Sequence, residues 1–158
     1  MRTLLLPVVV LAVALSACAP KKIPGTDIDD TTETQAILEV VRKYRTAVEA
    51  RNVEGIYQLV DPSFRDDGGS AHPDDDLDYK SLKDRLTNRM SKVTDMKLEV
   101  TVRRIEFDTE DKMARVTYSY QVSFKMPEYS SRTQSENDIK QMLLKRVDEN
   151  EWKIASGI

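Results

Sequence analysis

Cysteine and histidine each occur once in this chain of 158 residues, and aromatic residues make up only 6% of it. With a single cysteine no intramolecular disulfide forms, and a metal site built on several thiolates is excluded. Positive charge is also short: 24 Lys and Arg stand against 27 Asp and Glu, a formal net charge of −3. That balance argues against nucleic-acid binding, which draws on a basic patch or stripe, and against adhesion to anionic lipid by a polybasic segment. No apolar run reaches the ~20 residues that a membrane-spanning helix needs. Internal repeats and low-complexity tracts are missing, so one non-repetitive domain is the expectation.

What the chain does have is an ordered signal at its start. Arg2 is followed by an uncharged apolar stretch from Leu4 to Ala14 and then by small residues. This is the anatomy of a secretory leader, too short to serve as a membrane span. The run Leu15-Ser16-Ala17-Cys18 resembles the lipobox of bacterial lipoproteins, which is cut just before the cysteine. The resemblance implies a signal peptide over residues 1–17 and lipidation of Cys18. A diacylglyceryl group would sit on its sulfur and an acyl chain such as palmitate on its new amino terminus. One acyl chain holds only marginally, at about 0.8 kcal/mol per buried methylene, whereas two or more hold stably. Ala19 follows Cys18 where Asp would favour the inner membrane, so the resemblance points to the periplasmic face of an outer membrane. The alternative takes Cys18 as a small residue beside an ordinary signal-peptidase site.

Residues 19–31 contain two prolines and a glycine and have no periodicity. With Cys18 they read as a flexible tether over 18–31, reaching roughly 20 Å. The domain proper is expected over 32–158. Thr32 and Gln35 match the capping-box spacing, and Ile37, Val40, Val41, Tyr44 and Val48 form one apolar helical face. Asn52 is placed to cap a shorter helix carrying Val53, Ile56, Tyr57 and Val60. Residues 66–78 read as loop, and Asp78 caps a third helix with a stripe of Leu82, Leu86, Met90 and Val93.

The period then becomes alternating. Met96, Leu98, Val100 and Val102 share one side of a strand, after which the apolar parity moves to Ile105 and Phe107. A one-residue slip turns every side chain over, so a β-bulge is expected at Arg103-Arg104. After a turn at 109–112 comes the longest alternation, Ala114 to Met126 on even positions. Pro127 to Ser135 reads as a polar loop, 138–147 as a third strand, 148–151 as a turn and 152–154 as a last short strand.

Three helices followed by four antiparallel strands is the element order of the NTF2-like (SnoaL-like, cystatin-like α+β cone) family. Two segments carry the resemblance further. Tyr44 to Val53, followed by Leu59-Val60-Asp61-Pro62-Ser63-Phe64, looks like the family's first helix and its exit, and Val147 to Ile154 resembles its closing hairpin. Asn52 stands where the family commonly has Asp, which touches only a cap. The resemblance implies three N-terminal helices packed on a curved antiparallel sheet, with a pocket between them. Family enzymes place a carboxylate or histidine in that pocket. Here the inward strand positions read as Met, Leu, Val, Ala, Tyr and Phe, with the third strand ambiguous and Asp138 or Lys140 the residues it could bring to the rim. A non-catalytic protein is therefore the reading, with an isomerase or dehydratase acting on a hydrophobic substrate as the alternative. No catalytic residue, cofactor or metal is assigned.

The pocket-lining candidates are Tyr44, Tyr57, Tyr118, Tyr120, Phe124 and Trp152. Buried tyrosine hydroxyls need partners and could orient a small apolar ligand; alternatively these rings are simply core. An envelope protein is the other partner considered, as is a subunit role in an envelope assembly. The polar outer strand face could pair two copies as a homodimer. His72, beside Pro73, reads as a solvated loop residue more readily than as a base or ligand. Asp74, Asp76 and Asp78 alternate but lack the glycine and glutamate of an EF-hand loop, so a solvated acidic loop is the simpler account.

Overall fold

The computed structural model describes residues 21–68, 76–110 and 112–158. Cys18, His72, Asp74 and Asp75 lie outside the described residues.

Residues 21–30, expected to be free tether, close a small turn instead. Lys22 bridges Asp29 antiparallel, the Ile23 amide donates to the Ile28 carbonyl at 2.9 Å, and Ile28 is buried. Helix α1 (Thr32–Glu49) starts one residue earlier than the capping template suggests. Thr31 is the N-cap: its hydroxyl accepts from the Thr34 amide at 3.2 Å, and the Thr34 hydroxyl accepts from the Thr31 amide at 3.0 Å. Thr34 thus takes the part that Gln35 was expected to play, and Gln35 reaches back to Asp30. As read from the spacing, α1 buries Ile37, Val40, Val41 and Val48.

Arg51 turns the chain with φ of 53° and ties it to the next connection, donating to the Val93 carbonyl at 2.8 Å. Asn52 then caps α2 (Val53–Tyr57) through the Gly55 amide. Val60 lies beyond α2 and makes a parallel bridge to Ile154, so residues 59–61 cover an edge of the sheet. The span expected to be loop contains two short paired strands, β1 (Arg65–Asp66) and β2 (Leu77–Asp78). Asp78 caps α3 (Tyr79–Ser91) in a reciprocal box with Ser81, and Leu82 and Met90 are buried beneath it.

The sheet is an antiparallel meander of β3 (Thr94–Phe107), β4 (Met113–Met126), β5 (Ser130–Asp148) and β6 (Glu151–Ser156). Val102 pairs with Tyr118 and Arg104 with Thr117, so Arg103 is the extra residue of the anticipated bulge. A second irregularity separates the Thr94 and Lys97 pairs, where Asp95 adopts φ of 52° and pairs with Lys125. The expected loop from Pro127 to Ser135 is wrong beyond Tyr129. Ser130 already pairs with Met126, Gln134 with Phe124 and Ser135 with Ser123. These side chains are polar on both faces, so backbone ladder bonds define the strand and hydrophobic alternation does not. The outer face is polar, with Ile139 exposed among Ser and Gln neighbours.

Helices and sheet enclose two apolar clusters. One gathers Ile37, Phe64, Leu82, Val116, Met142, Leu144 and Trp152; the other holds Val48, Ile56, Met90, Leu98, Val122 and Phe124. Tyr44, Leu86, Val100, Tyr120 and Ile158 touch both clusters and are only partly buried. Space remains where they meet.

Candidate functional site

That space is a cavity of about 130 Å³. Strand alternation turns Leu98 and Val100 of β3 and Tyr118, Tyr120 and Val122 of β4 into it, because all are even-numbered positions on the inner face. Helix α3 contributes Leu82, Leu86 and Met90 at steps of four, and α1 contributes Tyr44 and Val48 one turn apart. Of the six pocket candidates, Tyr44, Tyr118 and Tyr120 line this cavity. The other three do not. Tyr57 lies in an α2 only five residues long and stacks on Tyr79 at 4.2 Å, under the Lys83 ammonium. Phe124 is buried in the second cluster and Trp152 in the first, where it packs on Phe107 at 5.9 Å. These two are core.

The rim of the cavity is charged, where the sequence led us to expect only Asp138 or Lys140. Arg85 and Arg89 lie one turn apart on α3 and so flank its apolar stripe on one edge. From β5 come Glu136 and Lys140. The register places Glu136 opposite Val122, Asp138 opposite Tyr120 and Lys140 opposite Tyr118, so all three share the inner face. The expectation that no inward strand position carries a carboxylate is therefore corrected. Glu136 and Asp138 are both exposed. They stand at the mouth, in water.

Among the described residues, Arg85, Arg89 and Lys140 make no ion pair, while Lys83 on the same helix pairs with Glu54 at 2.8 Å. Lys140 stands over the Tyr120 ring, 5.8 Å from its centre. Beyond the rim a groove of about 1140 Å³ shares Arg85, Arg89, Lys140 and Ile158 with the cavity. Elsewhere the groove is lined by Asp66, Asp67, Asp76 and Asp78 together with Arg65; Asp66 accepts from the Gly157 amide at 2.8 Å, and Asp78 caps α3.

The three tyrosine hydroxyls are not equivalent. Tyr118 donates to the Gly157 carbonyl at 3.2 Å. Gly157 has φ of +89°, and a Cβ there would lie 2.0 Å from the Gln141 carbonyl oxygen, so glycine is required. Burial pushes the Tyr118 phenol well above its ordinary pKa. Tyr44 has no hydrogen-bond partner among the described residues, and its oxygen is not sealed off from open space. Burial pushes its pKa up to about 12, and the positive charge of Arg89 offsets part of that rise. Tyr120 is raised by burial, with Asp138 and Glu136 adding to the rise and Arg89 opposing it. At neutral pH all three are neutral hydrogen-bond donors.

Chemically, the arrangement can hold an apolar group about the size of one ring, since a dry cavity of about 150 Å³ accepts benzene. It offers a free hydroxyl and three cations at its entrance. No cluster of three or more metal-ligating side chains occurs among the described residues.

No family model and no curated protein sequence matches this chain. Solved structures do. An NTF2-like superfamily protein from Salmonella enterica superposes with a TM-score of 0.66 at 14% identity, over 80% of this chain and 88% of its own. A ketosteroid isomerase-like protein from Erwinia carotovora gives 0.63 at 15% identity, over 79% and 92%. A conserved protein from Planctomyces limnophilus gives 0.65 at 12% identity, over 78% and 91%. At such identities the likeness shows the fold: an NTF2-like α+β architecture of helices on a curved antiparallel sheet.

Proposed function

We propose that this chain is a non-catalytic envelope lipoprotein, anchored through Cys18, whose cone binds a small apolar group close to the membrane surface. The anchor rests on Leu15-Ser16-Ala17-Cys18 and the apolar leader before it. The binding role rests on one observation above others: the cavity between the two clusters is walled largely by apolar side chains and holds a phenol, Tyr44, with no hydrogen-bond partner among the described residues. The carboxylate that lines it, Glu136, is exposed at the rim and resides in bulk water. This favours holding over proton transfer, for which a base held in a desolvated setting is the usual device.

Native mass spectrometry of the protein made in its host tests both halves together. The expected spectrum shows a mature chain beginning at Cys18 with acyl mass attached, and a small retained ligand. A mature N-terminus elsewhere overturns the anchor, and a protein that neither retains nor takes up any apolar compound overturns the binding role. A second reading, an isomerase- or dehydratase-type enzyme, draws on the position of Glu136 in the cavity wall. It is established if Glu136→Gln abolishes a turnover while leaving ligand binding intact.

A further inference from the structure

We infer that the ligand is an amphipathic carboxylate, with its ring-sized apolar body in the cavity and its acid group at the rim between Tyr44, Arg89 and Lys140. The inference rests on the binding role proposed above and adds the chemistry of the head group. Three observations carry it. The interior is too small for more than one ring or a short branched chain. The charged groups that line the cavity, Arg85, Arg89, Glu136 and Lys140, are all exposed, so a ligand filling the apolar part presents its head to them at the mouth. At that end stand three cations with no ion-pair partner among the described residues, in a chain whose net charge is negative.

Negative charge is present too, and its position decides the orientation. Glu136, Asp138 and Arg89 all act on Tyr120, whereas Arg89 is the charged side chain that acts on the Tyr44 hydroxyl. A carboxylate seated at Tyr44 therefore meets a neutral donor and a guanidinium. The rest of the groove carries four carboxylates, Asp66, Asp67, Asp76 and Asp78, against one cation, Arg65. A compact head of single charge fits at the rim, and an extended polyanion meets these carboxylates. Hydrogen bonds to charged partners are also the stronger class.

The test compares two ligands with the same body, 3-phenylpropanoate and 3-phenylpropan-1-ol, by isothermal titration. The full chain is used in zwitterionic lipid nanodiscs, with empty discs as the blank. The acid is expected to bind at least about tenfold tighter than the alcohol. Arg89→Gln should cost the acid about fivefold, and Lys140→Gln and Arg85→Gln about twofold to threefold each, with alcohol binding unchanged. Raising salt from about 0.05 M to about 0.5 M should weaken the acid alone. Equal affinity for acid and alcohol, or an acid preference that survives both the Arg89→Gln/Lys140→Gln double variant and high salt, overturns the carboxylate inference and leaves the apolar site standing. If neither compound binds, the cavity's binding role falls with it.

Discussion

Replacing each of two cavity tyrosines by phenylalanine separates a structural hydroxyl from a free one. The Tyr118 hydroxyl donates to the Gly157 carbonyl at 3.2 Å in partly buried surroundings. Its removal forfeits that bond, worth about 0.5–1.5 kcal/mol net, and leaves a carbonyl without its donor, so a loss of about 1.5 kcal/mol is expected for Tyr118→Phe. With a urea m-value of about 2 kcal/mol/M for a domain of this size, the midpoint should fall by about 0.7 M. Tyr44 has no such partner among the described residues. Tyr44→Phe removes an oxygen that holds no protein group in place, so stability should stay within about 0.5 kcal/mol. The pH dependence supplies a second readout. Burial raises the folded-state pKa of Tyr44 to about 12 against an ordinary 10.0, so the folded chain holds that proton more tightly than the unfolded one. The associated stability is complete below the unfolded pKa and is lost as pH rises through the folded one. Alkaline urea titrations should therefore show falling stability from pH 10 upward, with a shallower fall in Tyr44→Phe. Equal midpoint losses in the two variants at neutral pH would show that Tyr44 has a partner, and the account of a free donor in the cavity would be refuted.

Gly157→Ala places a methyl group against the Gln141 carbonyl at a positive φ. Strain and overpacking together should destabilise by about 3 kcal/mol, read as a lowered urea midpoint. Asp61 is almost fully buried; burial pushes its pKa up, but Ser63 and Lys145 outweigh this and hold it below 3.8. Its contribution is present above the unfolded pKa and lost as pH falls through the folded one, so the acid limb of the stability profile below about pH 4 should flatten in Asp61→Asn. That variant should also lose about 1–3 kcal/mol at neutral pH, measured by denaturation. Val122→Leu adds a methylene to the cavity wall, which should stabilise by about 0.5–1 kcal/mol and weaken ligand uptake in the same titration.

Local signals were legible, and relations between distant segments were not. The Asn52 and Asp78 caps and the α1 stripe depend on residues within four positions of one another, and each forms as expected. The bulge at Arg103 shows because apolar parity slips along a single strand. The N-cap of α1 is displaced by one residue because three threonines stand close together and a Thr34 hydroxyl can replace the glutamine of the template. Strand β5 hides its first part: from Ser130 to Asn137 neither face is apolar, so nothing in its composition distinguishes strand from loop. Glu136 falls in that hidden part, and polar residues on both faces leave the parity of Asp138 and Lys140 ambiguous within the strand expected over 138–147. Arg85 and Arg89 then read as an ordinary wet helix face. Their role at a rim appears only when β5 lies across from them.

That same charge pattern explains why the cavity exists at all. Collapse of α3 onto the sheet would eliminate about 130 Å³ of space, a gain of about 3 kcal/mol at about 24 cal/mol per Å³. The inner face of β5 changes character at one point, however: Met142 and Leu144 are fully buried core, while Lys140, Asp138 and Glu136 precede them on the same face. Drawing α3 down would strip water from Arg89 on one rim and from Glu136, Asp138 and Lys140 on the other. The effective penalty is several kcal/mol for each unpaired ion, more than the collapse returns. The helix therefore stands off at this end, and the space between is held open by charged side chains on both rims that keep their water. An anion seated there would give Arg89 and Lys140 a partner in place of water, so binding should bring α3 closer to β5. Hydrogen exchange across Leu86 to Met90 should slow when 3-phenylpropanoate is bound, and should not slow with 3-phenylpropan-1-ol.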